Sequence, residues 1–397
     1  MDSLIKNFTR LLNALPNQHR RYLYQDIDWT GRLIGVTGTR GTGKTTLLLQ
    51  YLKDNFPKKE NVLYASLDNI YFSKNSLLAM AEKFDAYGGT HLFLDEVHRY
   101  PTCAIELKNI YDSFPDMHVV FTGSSMLEIY KSNTDLSRRA ICYELKGLSF
   151  REFLLFEHNL YFPVLTLKDI LENHQTIASE IVGKIKILPE FKKYLRYGYY
   201  PIYKEGLKSY SLRLHNIVNV VLENDLPSIE VVEYSTIFKI KKLLMILASL
   251  VPYTPNINTL SGEIETNRAN ALRYLEYLKR AGLIQTFLYT QKSMKMLSKP
   301  DKIYLDNSNL LYTLADENAN IGNVRETFFA NQVSAKYTVN TSQKGDFQVG
   351  DFIFEVGGAT KSYQQIKDLR DKSFLVIDET EVGYFNKIPL WLFGFLY

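Results

Sequence analysis

Cysteine is nearly absent from this 397-residue chain, which holds only Cys103 and Cys142. Two cysteines cannot build a disulfide framework, and neither falls in a CxxC or Cys/His spacing that would hold zinc. The expectation is a reducing, cytoplasmic setting. Long apolar runs are missing too: Leu243–Val251 follows Lys241 and Lys242 and covers less than half of the roughly 20 residues a membrane helix needs. No membrane partner is expected. The opening stretch MDSLIKNFTRLLNALPNQHRRYLY lacks an apolar core followed by a small-residue cleavage site, which argues against a secretory signal. Charge of one sign is scarce, since Lys+Arg 47 against Asp+Glu 43 leaves a net +4, too little by itself to argue for a nucleic-acid partner. Repeats and low-complexity tracts are absent, and 28 Tyr with 23 Phe argue against disorder.

The length implies more than one core. Leu4, Ile5, Phe8, Leu11, Leu12 and Leu15 mark one face of a helix within an N-terminal segment, residues 1–29. Across 30–150 short apolar runs at Gly31–Gly35, Asn61–Leu67, His91–Leu94 and His118–Thr122 are spaced by helix-length segments, the pattern of parallel βαβ units in an α/β fold. Residues 151–250 read as mainly helical. In 251–300 two helical patterns break around Ser261–Thr266 and end at Gly282 before a strand, an order that resembles a winged helix-turn-helix. Strand-like runs return in 301–397, a small closing α/β domain.

The densest chemistry lies in the first α/β region. Gly38-Thr39-Arg40-Gly41-Thr42-Gly43-Lys44-Thr45 matches G-x-x-x-x-G-K-[ST] between a strand and a helix, the context that gives this motif meaning. The glycines let backbone N–H groups curl around a phosphate, Lys44 reaches the β- and γ-phosphates, Thr45 offers a hydroxyl to Mg²⁺, and Thr46 lies near the α-phosphate. ATP with Mg²⁺ is the expected cofactor. His91–Glu96 is an apolar strand ending in two carboxylates, at the spacing expected of the strand next to the P-loop strand. Asp95 is the candidate to hold Mg²⁺ through water, and Glu96 to orient or deprotonate the attacking water. The next strand ends in hydroxyls, with Thr122 or Ser124 as candidate sensors of the γ-phosphate. Arg138 and Arg139 follow, one a candidate arginine finger acting in cis or across a subunit interface, the alternative being a solvated basic turn.

This order of motifs resembles the prokaryotic AAA-type ATPases in which the ATPase domain precedes a domain of unknown function called DUF4143. The resemblance is carried by Gly38–Thr45, Leu94–His98, Thr122–Ser125, Arg139-Ala140 with Glu144-Leu145, and Leu148–Phe153, and further on by Tyr197–Pro201 and the Tyr274–Ile284 segment. It implies ATPase activity and favours Arg139 over Arg138 as the finger, although Arg138 stands where the family has glycine.

At the other end, Asp351 and Glu355 are spaced to share one face of a strand, and Glu326 precedes them on a helix. The set resembles the core of the PD-(D/E)xK nucleases, a second Mg²⁺ site made of Glu326, Asp351 and Glu355. The lysine that such sites place two residues after the Glu is Gly357 here, so Lys361 serves only if the Gly357-Gly358 turn folds it back. A nuclease-like fold retained for binding or packing is the alternative. Arg268, Arg273, Lys279 and Arg280 supply a charge set that either tracks DNA phosphates or is a solvated helix face. Three functions stay open: an ATP-hydrolysing switch or motor, a nucleic-acid binder or nuclease gated by ATP, and a nucleotide-dependent interaction module. ATP/ADP, DNA, a client protein and a second copy of the chain are the candidate partners.

Overall fold

The computed structural model describes residues 1–397 apart from 16–18, 59, 124–135, 137, 230–231, 290–298, 316–318 and 362–371. Met1–Gly147 together with Asn219–Val232 form one compact unit, and Leu148–Val218 together with Glu233–Tyr397 form a second.

In the first unit, strands β1 (Leu33–Thr37), β2 (Val62–Ser66), β3 (His91–Asp95), β4 (His118–Gly123) and β5 (Ile141–Glu144) lie in the order β2-β3-β4-β1-β5, all parallel. Alternation along each strand feeds two cores. Leu33, Leu63, Leu92, Val119 and Phe121 join Met80 of α4 (Leu77–Ala86) and Leu107 and Ile110 of α5 (Cys103–Ser113) on one side. Ile34, Tyr64, Phe93 and Val120 join Phe8 and Leu12 of α1 (Asp2–Ala14) and Leu47, Leu48 and Leu52 of α3 (Lys44–Asn55) on the other. The expected neighbour relation between β1 and β3 does not hold. The crossover through α5 brings β4 between them, paired to both. That order brings the ends of β3 and β4 beside the loop that follows β1.

The second unit opens on a reciprocal cap. Ser149 Oγ accepts from Glu152 N–H and the Glu152 carboxylate accepts from Ser149 N–H, starting α6 (Phe150–His158). A polar centre then fixes the segment around Tyr197–Pro201. Asn309 Oδ1 accepts from Tyr199 N–H (2.8 Å) and the Tyr210 hydroxyl (2.5 Å), while its Nδ2 donates to the carbonyls of Tyr194 (3.1 Å) and Leu195 (2.9 Å). Every donor and acceptor of that buried amide is used.

Helices α7 (Tyr234–Leu250), α8 (Ile257–Glu263) and α9 (Arg268–Arg280) lead into the antiparallel pair β6 (Ile284–Phe287) and β7 (Lys302–Leu305). After α10 (Ser308–Ala315) and α11 (Ile321–Ser334) comes a mixed sheet ordered β12-β11-β10-β9-β8. Its strands are β8 (Val339–Thr341), β9 (Phe347–Val349), β10 (Phe352–Gly357), β11 (Ser373–Ile377) and β12 (Lys387–Pro389). The pairs β8/β9 and β9/β10 are antiparallel, and β10/β11 and β11/β12 parallel. Phe329 of α11 packs its ring against Phe354 of β10 and Phe347 of β9. Among the described residues, no helix is long and apolar enough to cross a membrane.

Candidate functional site

The loop after β1 needs its glycines. Gly38, Gly41 and Gly43 have φ of 147°, 86° and 96°, where side chains are disfavoured. At Gly38 a Cβ would also stand 2.3 Å from the Leu145 carbonyl oxygen, so the turn closes only on glycine. Gly43 caps α3 in the left-handed conformation, leaving the first-turn N–H groups of that helix at the loop. Arg21, which sequence reasoning missed, fastens the loop from outside it, donating to the carbonyls of Thr42 (2.5 Å), Lys146 (2.8 Å) and Gly147 (2.8 Å). Lys44 is buried, with its Nζ donating to the carbonyls of Gly38 (2.8 Å) and Thr39 (3.0 Å). Burial pulls its pKa down, and the charges of Glu96 and Asp95 oppose that pull. Thr46 is half-buried in the first turn of α3.

Asp95, buried at the end of β3, accepts from three hydroxyls of three other elements. Thr45 on α3 and Tyr64 on β2 reach Oδ2 at 2.6 and 2.7 Å, and Thr122 on β4 reaches Oδ1. Thr122 also accepts from the Glu96 N–H at 3.1 Å, tying the two consecutive acids to β4. Tyr64 carried no signal in the sequence, because the hydroxyl of a core aromatic looks like any other until strand order places it. Burial and the Asp95 charge raise the pKa of that hydroxyl, so it stays a donor.

Glu96 sits at φ 54°, a left-handed conformation that costs a non-glycine residue roughly 1–2 kcal/mol. Its Oε2 is buried and makes no hydrogen bond, while His98 Nε2 lies 3.4 Å and Arg40 Nη1 3.7 Å away. Both side chains are shared with Asp225, which belongs to the 219–232 portion of this unit. Asp225 Oδ1 is 2.7 Å from Arg99 Nη2 and 3.5 Å from His98 Nε2, and both its oxygens are 3.5 Å from Arg40 Nη1. Burial pushes the Asp225 carboxyl up, but the His98 hydrogen bond and the charges of His98, Arg40 and Arg99 outweigh it and leave the group below its ordinary range.

Not every predicted residue joins this site. Ser124 lies outside the described residues. Arg139 precedes β5, at the end of the sheet opposite the P-loop, and clasps Asp112 at the end of α5 through Nε (3.0 Å) and Nη2 (3.1 Å). Residues entering a parallel strand and residues leaving its neighbour are at opposite ends, so this arrangement does not bring Arg139 to its own P-loop.

The second predicted set is corrected at one position. Asp351 is not on the strand: Gly350 (φ 57°) and Asp351 form the turn between β9 and β10, so the alternation rule does not reach it. Its side chain is 77% exposed and pairs with Lys372 at 2.9 Å. Asp346 takes its place near Glu326 and Glu355, its negative charge opposing the ionisation of both, and it accepts from Val356 N–H at 2.9 Å. The condition on Lys361 is met, since its Nζ lies 2.6 Å from Glu355 Oε1 and its stem covers Gly357, where a Cβ would meet it at 2.7 Å. Burial, then the Asp346 charge, pushes the Glu326 carboxyl up to about 7, and the Tyr304 hydroxyl donates to it at 2.8 Å. Among the described residues, no group of three or more His, Cys, Asp or Glu is set to hold a metal ion. The predicted Glu326, Asp351 and Glu355 metal triad is thus not assembled.

The first site does fit a nucleotide triphosphate with magnesium. A glycine turn that any side chain would block, a buried ammonium within it, and a hydroxyl and a carboxylate side by side are the oxygen donors and cation that phosphate and Mg²⁺ require.

A family model described as an AAA domain matches residues 30–154. A second, described as a domain of unknown function, DUF8612, matches residues 188–320, so the DUF4143 domain expected there from the motif order is not the one found. An uncharacterized protein of Methanocaldococcus jannaschii is 30% identical over 288 residues, covering 68% of this chain. The chain spans only 60% of that relative's length. Among solved structures, the Aeropyrum pernix ORC1 protein in complex with DNA covers 79% of this chain and 92% of its own at 11% identity and a TM-score of 0.33. AMPPCP-bound DnaA from Aquifex aeolicus covers 69% and 86% at 18% identity and a TM-score of 0.28. At such scores backbone likeness carries no inference. The matched AAA domain and the all-parallel β2-β3-β4-β1-β5 order make the fold of residues 30–154 that of the AAA P-loop ATPases, which supports ATP binding.

Proposed function

We propose that this chain binds MgATP at the loop after β1 and hydrolyses it, using the cycle to switch or move the remainder of the chain, with the ATPase domain at about residues 30–150. The observation that carries the reading is the hydroxyl–carboxylate pair Thr45–Asp95 at 2.6 Å, set beside the glycine loop and Lys44. Backbone N–H groups of residues 38–43 and the Lys44 ammonium hold the phosphates, with Thr46 beside the α-phosphate. Thr45 and Asp95 are the residues that would hold Mg²⁺, which when bound neutralises charge developing on the phosphate oxygens. Tyr64 and Thr122 fix the Asp95 carboxylate so that it need not reorganise. Glu96 orients the attacking water and accepts its proton, its buried Oε2 making no hydrogen bond.

The test is Glu96→Gln in the full chain. Phosphate release should fall by about 10²-fold or more while MgATP binding persists. Unchanged turnover removes Glu96 from the reaction.

A second reading concerns the second unit. The return of Lys361 to Glu355 supports nucleic-acid binding by a nuclease-like fold around Glu326, Asp346, Glu355 and Lys361, gated by ATP. The helix pair α8–α9 before the β6–β7 pair supports a winged-helix reading, with Arg268 and Arg273 toward DNA; Arg280 is engaged with Glu276 at 2.6 Å. DNA affinity at low salt that weakens in Lys361→Ala supports this reading, and absence of that affinity removes it.

A further inference from the structure

Glu96 is the residue on which hydrolysis turns, and its surroundings pose an electrostatic problem. Two basic side chains, Arg40 and His98, stand 3.7 and 3.4 Å from its buried Oε2. A carboxylate with only these neighbours would be drawn to hydrogen-bond distance of one of them, and a base so engaged is poorly placed to accept a proton from water. Yet Oε2 has no hydrogen bond. What holds the two side chains back is a second carboxylate. Asp225, only 3% exposed, takes Arg99 at 2.7 Å and draws Arg40 and His98 to 3.5 Å, as near to itself as they are to Glu96.

Resting on the ATPase reading above, we infer that Asp225 is a positioning residue for ATP hydrolysis, sharing Arg40 and His98 with Glu96 so that neither closes to hydrogen-bond distance on Glu96 Oε2. Asp225 touches neither water nor phosphate in this role; it acts through Arg40 and His98. Arg99 is its anchor, the shortest of the three contacts. The Ser228 hydroxyl donates to the Asp225 carbonyl at 2.7 Å and fixes the backbone that carries the carboxylate. Arg40 lies inside the phosphate-binding loop itself, so the balance that Asp225 sets is struck between the loop and the base.

The experiment compares wild type, Glu96→Gln, Asp225→Asn and the double variant Asp225→Asn/His98→Ala as full chains, reading kcat, KM for MgATP and melting temperature. Asp225→Asn should lower kcat about tenfold or more with KM within about threefold, since Arg40 and His98 then close on Glu96. Removing His98 in the same chain takes away one of them and should recover part of kcat. A merely structural role predicts the reverse: melting temperature and nucleotide binding fall together, and the double variant is worse. Wild-type kcat in Asp225→Asn overturns the proposal and leaves the ATPase reading standing. No hydrolysis by wild type takes down that reading first, and the proposal with it. Should Asp225→Asn fail to fold, Asp225→Glu keeps the charge: kcat within about threefold of wild type supports the proposal, and a tenfold loss contradicts it.

Discussion

The Tyr64 hydroxyl on β2 donates to Asp95 Oδ2 at 2.7 Å, the same oxygen that receives Thr45 at 2.6 Å. A carboxylate held by hydroxyls from separate elements is oriented before any ligand arrives. Tyr64→Phe removes one of these donors without changing core volume. We expect a loss of about 1–3 kcal/mol in unfolding free energy and a higher Mg²⁺ concentration for half-maximal turnover. A Mg²⁺ dependence identical to wild type would show that Tyr64 serves packing alone.

How much of this site was legible in the sequence follows from how far apart its parts are. Gly38–Thr45 and Asp95-Glu96 are contiguous, and local pattern exposes them. Tyr64, Arg21 and Asp225 meet the same site only through strand order and a segment more than a hundred residues beyond it, so nothing near them in the chain marks their role. The two-residue turn at Gly350-Asp351 misled the alternation count, because periodicity says which face a strand residue takes but not where the strand begins. Arg139 likewise has the right type and order but enters β5 at the wrong end.

The Glu326 carboxyl supplies a pH signature. Its pKa is raised in the folded chain to about 7 from an ordinary 4.5, chiefly by burial. The folded state therefore holds a proton that the unfolded state has released, and stability from this group is fully present below about pH 4.5 and lost as pH rises toward 7. Glu326→Gln keeps an acceptor for Tyr304 and removes the titration. Relative to wild type, the variant should gain roughly 1–3 kcal/mol of stability at pH 8 over its value at pH 5, read by urea unfolding at each pH. A pH-independent difference contradicts the assignment.

Asn309 predicts a large effect far from any phosphate. Asn309→Ala leaves Tyr199 N–H, the Tyr210 hydroxyl and the carbonyls of Tyr194 and Leu195 without that partner in a buried setting. About 2–5 kcal/mol of stability should be lost, measured by chemical denaturation. A loss below about 0.5 kcal/mol would mean that water replaces the amide.

Arg139 clasps Asp112 at the end of the first unit's sheet opposite the P-loop. Arg139→Ala should leave turnover per molecule unchanged at dilute protein and cost at most about 1 kcal/mol of stability. A fall in dilute-protein turnover would require a role in its own P-loop that the strand direction does not allow.

The central claim is that Lys44 and the glycine turn hold the phosphates of ATP. Titration of MgATP into the full chain and into Lys44→Ala, followed by calorimetry, tests it directly. The account predicts saturable one-site binding by wild type and a loss of affinity of about tenfold or more in the variant, the effect of removing a charge-assisted contact to phosphate. Equal affinity in the two proteins, or no binding by wild type, would contradict it.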